Sequence, residues 1–539
     1  MDVLLLTEKW LPVRHQDGSR SQIAPNQLGD PDIVAFDADR ADFNGALAQF
    51  AIGLLQTTSP IDDPVAWRQL FATPPDAATL AQWFAPVAAA FEFDGDGPRF
   101  MQDFSLRPGE GAACDIGALL IESPGENALK NNSDHFIKRG RVEAMCPHCA
   151  AMALLTLQMN APAGGVGHRT GLRGGGPLTT LVLCQPQRSL WHDLWLNVRE
   201  RSGFLALQGD VSKTAPHFTF PWLADIGAIQ KNGGETAPVQ VHPAHAFWAM
   251  PRRIRLDMDG EVGGNCDLCG QVAEKLIRQY ETKNYGLNYK GPWDHVLSPY
   301  YETNEGWLPL HPQPGGFGYR HWLPWVLGTH GTKRQRSARV VDYLRDHKPG
   351  FVKGQLRLWA FGFDMDNMKA RSWYESTLPL YALTDCGPDV QKQIESEVAI
   401  WLAGAELAAY FLRGAVKGAW FGADARGDFS AIDASFWGAT ETVFYRQLKV
   451  LIDVLREDAD SEADPLPTRE AWHRHLVQTC LRLFDGEFVG AGAVERQNPH
   501  RLATAYQQLK RNLDGPKMRQ ALALPVHEKK AKRLAGTEK

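Results

Sequence analysis

With 539 residues, 44% hydrophobic and 22% charged, the chain is long enough for two or three domains, each with its own core. Its net charge of −5 excludes a globally basic nucleic-acid binder, so any such contact must be local. No run approaches the roughly 20 apolar residues that span a bilayer, and the Met1–Trp10 run is too short for a signal sequence. Cys114, Cys184, Cys386 and Cys480 stand singly, a pattern of the reducing cytoplasm rather than of a disulfide framework. A cytoplasmic protein with no membrane partner is therefore expected.

Residues 1–384 are rich in Gly, Pro and Trp, with short apolar runs broken by turn signals. Phe43–Leu55 and Glu143–Asn160 have helical patterns, Pro177–Leu183 reads as a strand, and Leu308–Gly316 as a loop. After Asp385-Cys-Gly-Pro388 the period becomes helical. Ile394, Val398, Trp401, Leu402, Ala405 and Ala409 form one apolar stripe. A second helix is predicted from about Asp433 to Glu457, with Phe436, Phe444, Leu448, Leu451 and Leu455 inward. A third is predicted with Thr468 as N-cap and Trp472, Leu476 and Leu483 inward, and a fourth over about Pro499–Leu524. The fold class is α+β: an irregular N-terminal body over 1–384, carrying a structural zinc site, then a C-terminal four-helix bundle over 385–539. Lys529, Lys530, Lys532 and Arg533 read as a frayed basic tail.

Two Cys-x-x-Cys pairs dominate the motifs: Cys146-Pro-His-Cys149 and Cys266-Asp-Leu-Cys269. Four thiolates so spaced suit one tetrahedral zinc, here pinning together two segments distant in sequence. Four protein ligands leave no open position for water or substrate, so the metal is structural rather than catalytic. Reduced thiols in two separate turns are the bland alternative.

Between Ser123 and Arg141 a polar loop holds Lys130, Asn131, Asn132, Phe136, Lys138, Arg139 and Arg141, a composition that tracks a single-stranded backbone and stacks a base. Next comes Ala161–Gly176, whose Ala163, Gly164, Gly165, Val166, Gly167, His168, Arg169 and Arg173 offer close backbone approach and positive charge. It is neither a P-loop nor a dinucleotide fingerprint. The runs Arg252-Arg253-Ile-Arg255 and Lys333–Arg339 add cations; strand alternation would turn Arg253 and Arg255 toward phosphates together. A solvated surface is the alternative for each. Signs of an enzyme are thin. There is no His-Glu-x-x-His and no Gly-x-Ser-x-Gly; Asp94 with Asp96 and Asp364 with Asp366 could hold a divalent ion but read as solvated loop acids, and His242 and His245, a possible ligand pair, read as core caps.

Taken in order, Trp10-Leu-Pro-Val13, the Ser123–Arg141 loop, Cys146–Cys149, Gly171-Leu-Arg-Gly-Gly175 with Thr179-Thr180, Cys266-Asp-Leu-Cys269-Gly-Gln271 and the terminal helices resemble the CasA family, large subunits of the type I-E CRISPR surveillance complex Cascade. The resemblance implies a non-enzymatic subunit that reads the protospacer-adjacent motif on double-stranded DNA, wedges the strands apart for the R-loop, and helps recruit the helicase–nuclease. It implies CRISPR RNA and the subunits CasB, CasC, CasD and CasE as partners. Lys130, Asn131, Asn132, Phe136, Lys138 and Arg139 would then meet the RNA handle, and Ala163–Gly167 with His168 and Arg169 the minor groove. Two positions depart from the family pattern. Asn265 stands where a groove-reading lysine is expected, and Gly362–Lys369 is the nearest match to the wedge loop, with Met365, Asp366, Asn367 and Met368 at its centre. A neutral Asn265 reads base edges without charge, and inserted methionines would unstack a base step. Arg413, Lys417, Arg446 and Lys449 are candidates to face DNA from the bundle. A zinc-containing nucleic-acid-processing enzyme and a purely architectural ribonucleoprotein subunit are the competing readings.

Overall fold

The helix Ala41–Thr58 is apolar on nearly every side, a sequence that only a core can accommodate. The structure, a computed structural model, describes residues 3–526 apart from 133, 135, 136, 138, 231–232, 260–262, 329–333, 348–354, 367–368, 382–386, 422–425, 458–463 and 491–497. In it Phe50 meets the edges of Trp10, Phe91, Phe100 and Trp248 at centroid distances of 5.2 to 6.0 Å. Such edge-to-face geometry lets several large rings share one core.

The chain divides into two compact units, Met1–Gln313 with Pro324–Ala382, and Pro314–Leu323 with Leu383–Lys539. The first unit is α+β, as its composition implies. It holds small antiparallel sheets rather than one large one. In one of them Gln279–Lys283 lies between Ala112–Asp115 and Arg253–Leu256. In another, Gln355–Asp366 lies between Thr179–Gln185 and Lys369–Leu380. Phe361 stands opposite Thr179, so residues 362–366 run on past the start of their neighbour strand. The expected loop at Gly362–Lys369 is thus mostly strand, with Asp366 paired to Lys369. Burial of Phe361 and Phe363 carries the pairing that far. Asn367 and Met368 lie outside the described residues.

The helix expected over Glu143–Asn160 begins only at Pro147, because Met145 is extended and bridges Ile277. Proline at the first helical position, with Cys146 as the cap, sets that start.

The second unit contains the helices Pro388–Trp420, Ser430–Glu457, Leu466–Arg482, Pro499–Leu513 and Pro516–Ala521. Ile394, Val398, Trp401, Leu402, Ala405 and Ala409 are buried on the first, as the spacing predicts. On the second, Ile452 is buried and Leu451 only half so. Thr468 is not a cap but lies inside a helix that starts at Leu466. The expected fourth helix breaks at Asp514–Gly515, since Pro516 has no N–H to continue it. Asp389–Trp420 is long and apolar enough, by length and composition, to cross a membrane, which corrects the expectation that no segment is. Half of its most apolar window is buried within the protein.

Pro314–Leu323, an unremarkable loop by sequence, belongs to this second unit. Tyr319 is fully buried there, stacked on Phe444 at 4.3 Å and hydrogen-bonded through its hydroxyl to Thr440 at 2.9 Å.

Candidate metal centre and nucleic-acid interface

Cys146, Cys149, Cys266 and Cys269 converge, with all four Sγ atoms within 4.8 Å of one another and Cys146 and Cys269 at 3.9 Å. Bonds of about 2.3 Å to a tetrahedral zinc would place the sulfurs roughly 3.8 Å apart, so the set fits a metal ion with little adjustment. Local structure explains the convergence. The first pair sits on the opening turn of the helix from Pro147, where the Cys149 N–H donates to Cys146 Sγ at 3.4 Å. The second pair sits in a tight hairpin between Gly264–Asn265 and Val272–Ala273, with Gly270 at φ +69.

Asp267, inside the second pair, fastens the two halves. Its carboxylate accepts the N–H groups of Glu143 and Ala144 at 2.8 Å each, and its own N–H donates to Ala144 at 3.0 Å. Reciprocal bonds of Met145 and Ile277 at 2.9 and 2.8 Å complete the join. Hydrogen bonds from Cys146 and Cys149 lower the Cys269 thiol to about 7 and draw Cys266 down further, while Cys149 is pushed up by the bond it shares with Cys146. Asn265 is exposed on the strand leading into Cys266.

The glycine segment divides into two halves. Residues 164–168 form a turn in which the His168 N–H donates to Gly165 at 3.1 Å, leaving Gly165 open and Val166 79% exposed at the tip. Gly167, at φ +81, is obligatory: a Cβ there would lie 2.6 Å from Asn284. Its carbonyl accepts the Tyr285 N–H at 2.9 Å. The second half is buried. At Gly176 a Cβ would come within 2.7 Å of Phe363 and 2.9 Å of the Met365 methyl. Met365 therefore rests against the glycine segment, and the far end of the hairpin lies beside the stretch that leads into Thr179. Asp366 is exposed.

Most of the other cations are committed within the protein. Arg173 is 5% exposed and donates to Thr179, Ser298 and Gln49, which corrects its reading as a DNA contact. Arg253 is buried on Asp103 at 2.5 Å, Arg252 caps the Pro162 carbonyl, and Arg255 donates to Leu106, so this run is not a phosphate stripe. Arg334 pairs with Glu302, and Arg336 and Arg339 both with Asp294. In the second unit Arg413 pairs with Asp433 and Lys449 with Asp453. Asp364 is buried against Arg371, and His245 lies in the core between Phe218 and Tyr289.

In the Ser123–Arg141 loop, Lys130, Asn131 and Asn132 are exposed. Arg139 instead closes the loop on itself, donating to Asp134 at 2.5 and 2.6 Å and to Leu129 and Asn132 at 3.1 Å. Phe136 and Lys138 lie outside the described residues. Arg169 differs from the committed arginines. Among the described residues its side chain has no ion-pair partner, and its guanidinium lies 5.6 Å over the Tyr285 ring. The sequence reading missed Asp267, Lys283, Asn284 and Tyr285; the Asn284-Tyr-Gly286 turn signal was the available hint.

Fold and site define a two-unit α+β protein with a four-sulfur centre and a glycine turn and hairpin leaving one sheet. Residues 5–483 match the family described as CRISPR-associated protein Cse1, and the chain belongs to that family. Among solved structures it is similar to Thermobifida fusca Cse1 (TM-score 0.66, 14% identity, 97% of this chain and 98% of that one). It is also similar to Thermus thermophilus CasA (Cse1) (TM-score 0.65, 15% identity, 95% and 100%). A chain of a CRISPR RNA-guided surveillance complex matches likewise (TM-score 0.62, 14% identity, 95% and 100%).

Proposed function

We propose that this chain is the large subunit of a CRISPR RNA-guided surveillance complex of the Cascade type, and that it recognises the protospacer-adjacent motif in double-stranded DNA and opens the duplex there. Membership of the Cse1 family and the fold shared with a chain of such a complex support the assembly role. The observation that carries the DNA role is the common origin of two loops: the glycine segment feeds strand Thr179–Gln185, and the hairpin runs past that strand's end with Met365 against Gly176. The open Gly165–Val166 tip suits a minor groove, where readout is degenerate and close backbone approach matters most. A hairpin beside it suits a wedge that separates strands once the motif is bound. Sequence is then left to base pairing with the guide.

The exposed Lys130, Asn131 and Asn132 suit contact with the CRISPR RNA handle. The four cysteines would hold one structural zinc whose closed thiolate shell supplies folding energy and no catalysis. The second unit is read as the family's terminal four-helix bundle, and recruitment of the helicase–nuclease follows as the family's later step.

The test is target binding by a guide-loaded complex with and without this chain, on duplexes sharing one protospacer and carrying randomised flanking trinucleotides. Binding that depends on the chain and on a subset of flanks supports motif reading. Binding indifferent to both would sink it in favour of an architectural role. For the wedge, alanine at Met365, Asn367 and Met368 should impair invasion of intact duplex and spare a pre-opened bubble. Equal losses on both substrates would remove that assignment.

A further inference from the structure

Beside the glycine turn lies a cleft of about 630 Å³, lined in part by Arg169, Lys283, Asn284, Tyr285 and Glu110. Its lining holds three cationic side chains, Arg169, Arg253 and Lys283, against one carboxylate, Glu110. Among the described residues, the Arg169 guanidinium has no carboxylate partner and lies over the Tyr285 ring. Among the described residues, the Asn284 amide and the Tyr285 hydroxyl are likewise free of protein partners and are exposed. Lys283 is half-exposed and only 3.8 Å from Glu110, a loose and exchangeable pair.

The backbone here is also unusual. Tyr285 sits at φ +68, a region that an aromatic residue rarely occupies, and is held there by its N–H bond to the Gly167 carbonyl. Strain of this kind, maintained by its surroundings, marks positions where a side chain must be aimed. Here it lifts Tyr285 under Arg169 and locks the cleft to the glycine turn.

We infer that this cleft binds the phosphodiester backbone of the DNA strand that leaves the glycine turn. The inference rests on the DNA reading proposed above and extends it to residues 283–285. A phosphodiester is an acceptor-only anion, and a guanidinium, an ammonium, an amide and a phenol are its matching donors. The contact fixes register and is blind to sequence. It supplies the charge that Asn265 lacks.

The test uses the guide-loaded complex and measures duplex affinity against salt. Arg169→Gln and Lys283→Gln should each reduce the slope of log affinity against log salt by about one, and weaken binding equally for all flanking trinucleotides. Lys283→Gln alters only a half-exposed side chain, so loss of folding will not mask the result. Unchanged slopes in a complex that still discriminates flanks would overturn the inference while leaving the glycine turn as the reader. Altered flank preference, rather than uniform weakening, would also overturn it by making the cleft a base reader. Reduced slopes in a complex without flank preference would uphold the cleft as a DNA contact and sink the motif-reading role instead.

Discussion

Arg169 and Arg173 stand four residues apart in one glycine-rich segment, and by composition they are interchangeable. Arg173 is buried and donates to Thr179, six residues on, and to Gln49 and Ser298, each more than a hundred residues away in the sequence. Arg169 lies over Tyr285 and, among the described residues, has no ion-pair partner. The same contrast separates Arg253, buried on Asp103, from Lys283 on the neighbouring strand, loosely held by Glu110. A cation is structural where the surrounding elements supply its acceptors, and available to a ligand where they do not. The number of cations in a run says nothing about which case holds.

This contrast can be broken or sharpened by experiment. The largest effect is expected at the thiol centre, the most committed part of the unit. About one zinc per chain should be found, and Cys146→Ser should abolish it together with much of the stability, because the metal's binding free energy is folding free energy. Elemental analysis and thermal melts read both; freshly purified wild-type protein without metal would reject the site.

Next is Arg173→Ala, which opens a cavity and removes the buried donor that Gln49, Thr179 and Ser298 share. The loss should be about 3 kcal/mol, measured by denaturant unfolding. Arg169→Gln should cost under about 0.5 kcal/mol in the same assay. If the two variants lose equal stability, the division between committed and available cations collapses.

Acid should expose the committed core more gently. Burial lowers the His245 imidazole to about 4, below its unfolded value near 6.5. The unfolded chain therefore takes up the proton first. The contribution is complete above about pH 6.5 and is lost as pH falls toward 4, on the order of 1–2 kcal/mol between pH 7 and 5. A smaller pH dependence in His245→Gln isolates this contribution from thiol protonation; an identical dependence would refute it.

A modest effect is expected at Asp267→Asn, which keeps one oxygen for the Glu143 and Ala144 N–H groups. It should lower stability by about 1 kcal/mol, with metal retained. Metal loss there would show that Asp267 is needed to bring the two cysteine pairs together.

Much of this was legible from local pattern. The paired cysteines announced their convergence through spacing, and the stripe from Ile394 to Ala409 announced the buried face of its helix. Other features were not. Tyr319 sits in a proline- and glycine-rich stretch with no period, so nothing local signals that it fills the aromatic core of the helical unit. The Gly362–Lys369 stretch looked like a loop because glycine and aspartate are poor strand formers, and burial of Phe361 and Phe363 overrode them. Tyr285 carried no signal beyond a turn-like neighbourhood, since its role depends on a carbonyl at Gly167.

The sequence by itself determined what short-range chemistry can determine: four thiols in two pairs at chelating spacing, one helix with an apolar stripe, and a glycine-rich turn. Only the tertiary structure decided which charges are free. The acceptors that a buried cation needs can come from more than a hundred residues away, as Asp103 does for Arg253 and Ser298 for Arg173. Burial of a charge is unfavourable without such partners, so the fold sorts the basic residues by where their acceptors arrive, and no local pattern records that arrival.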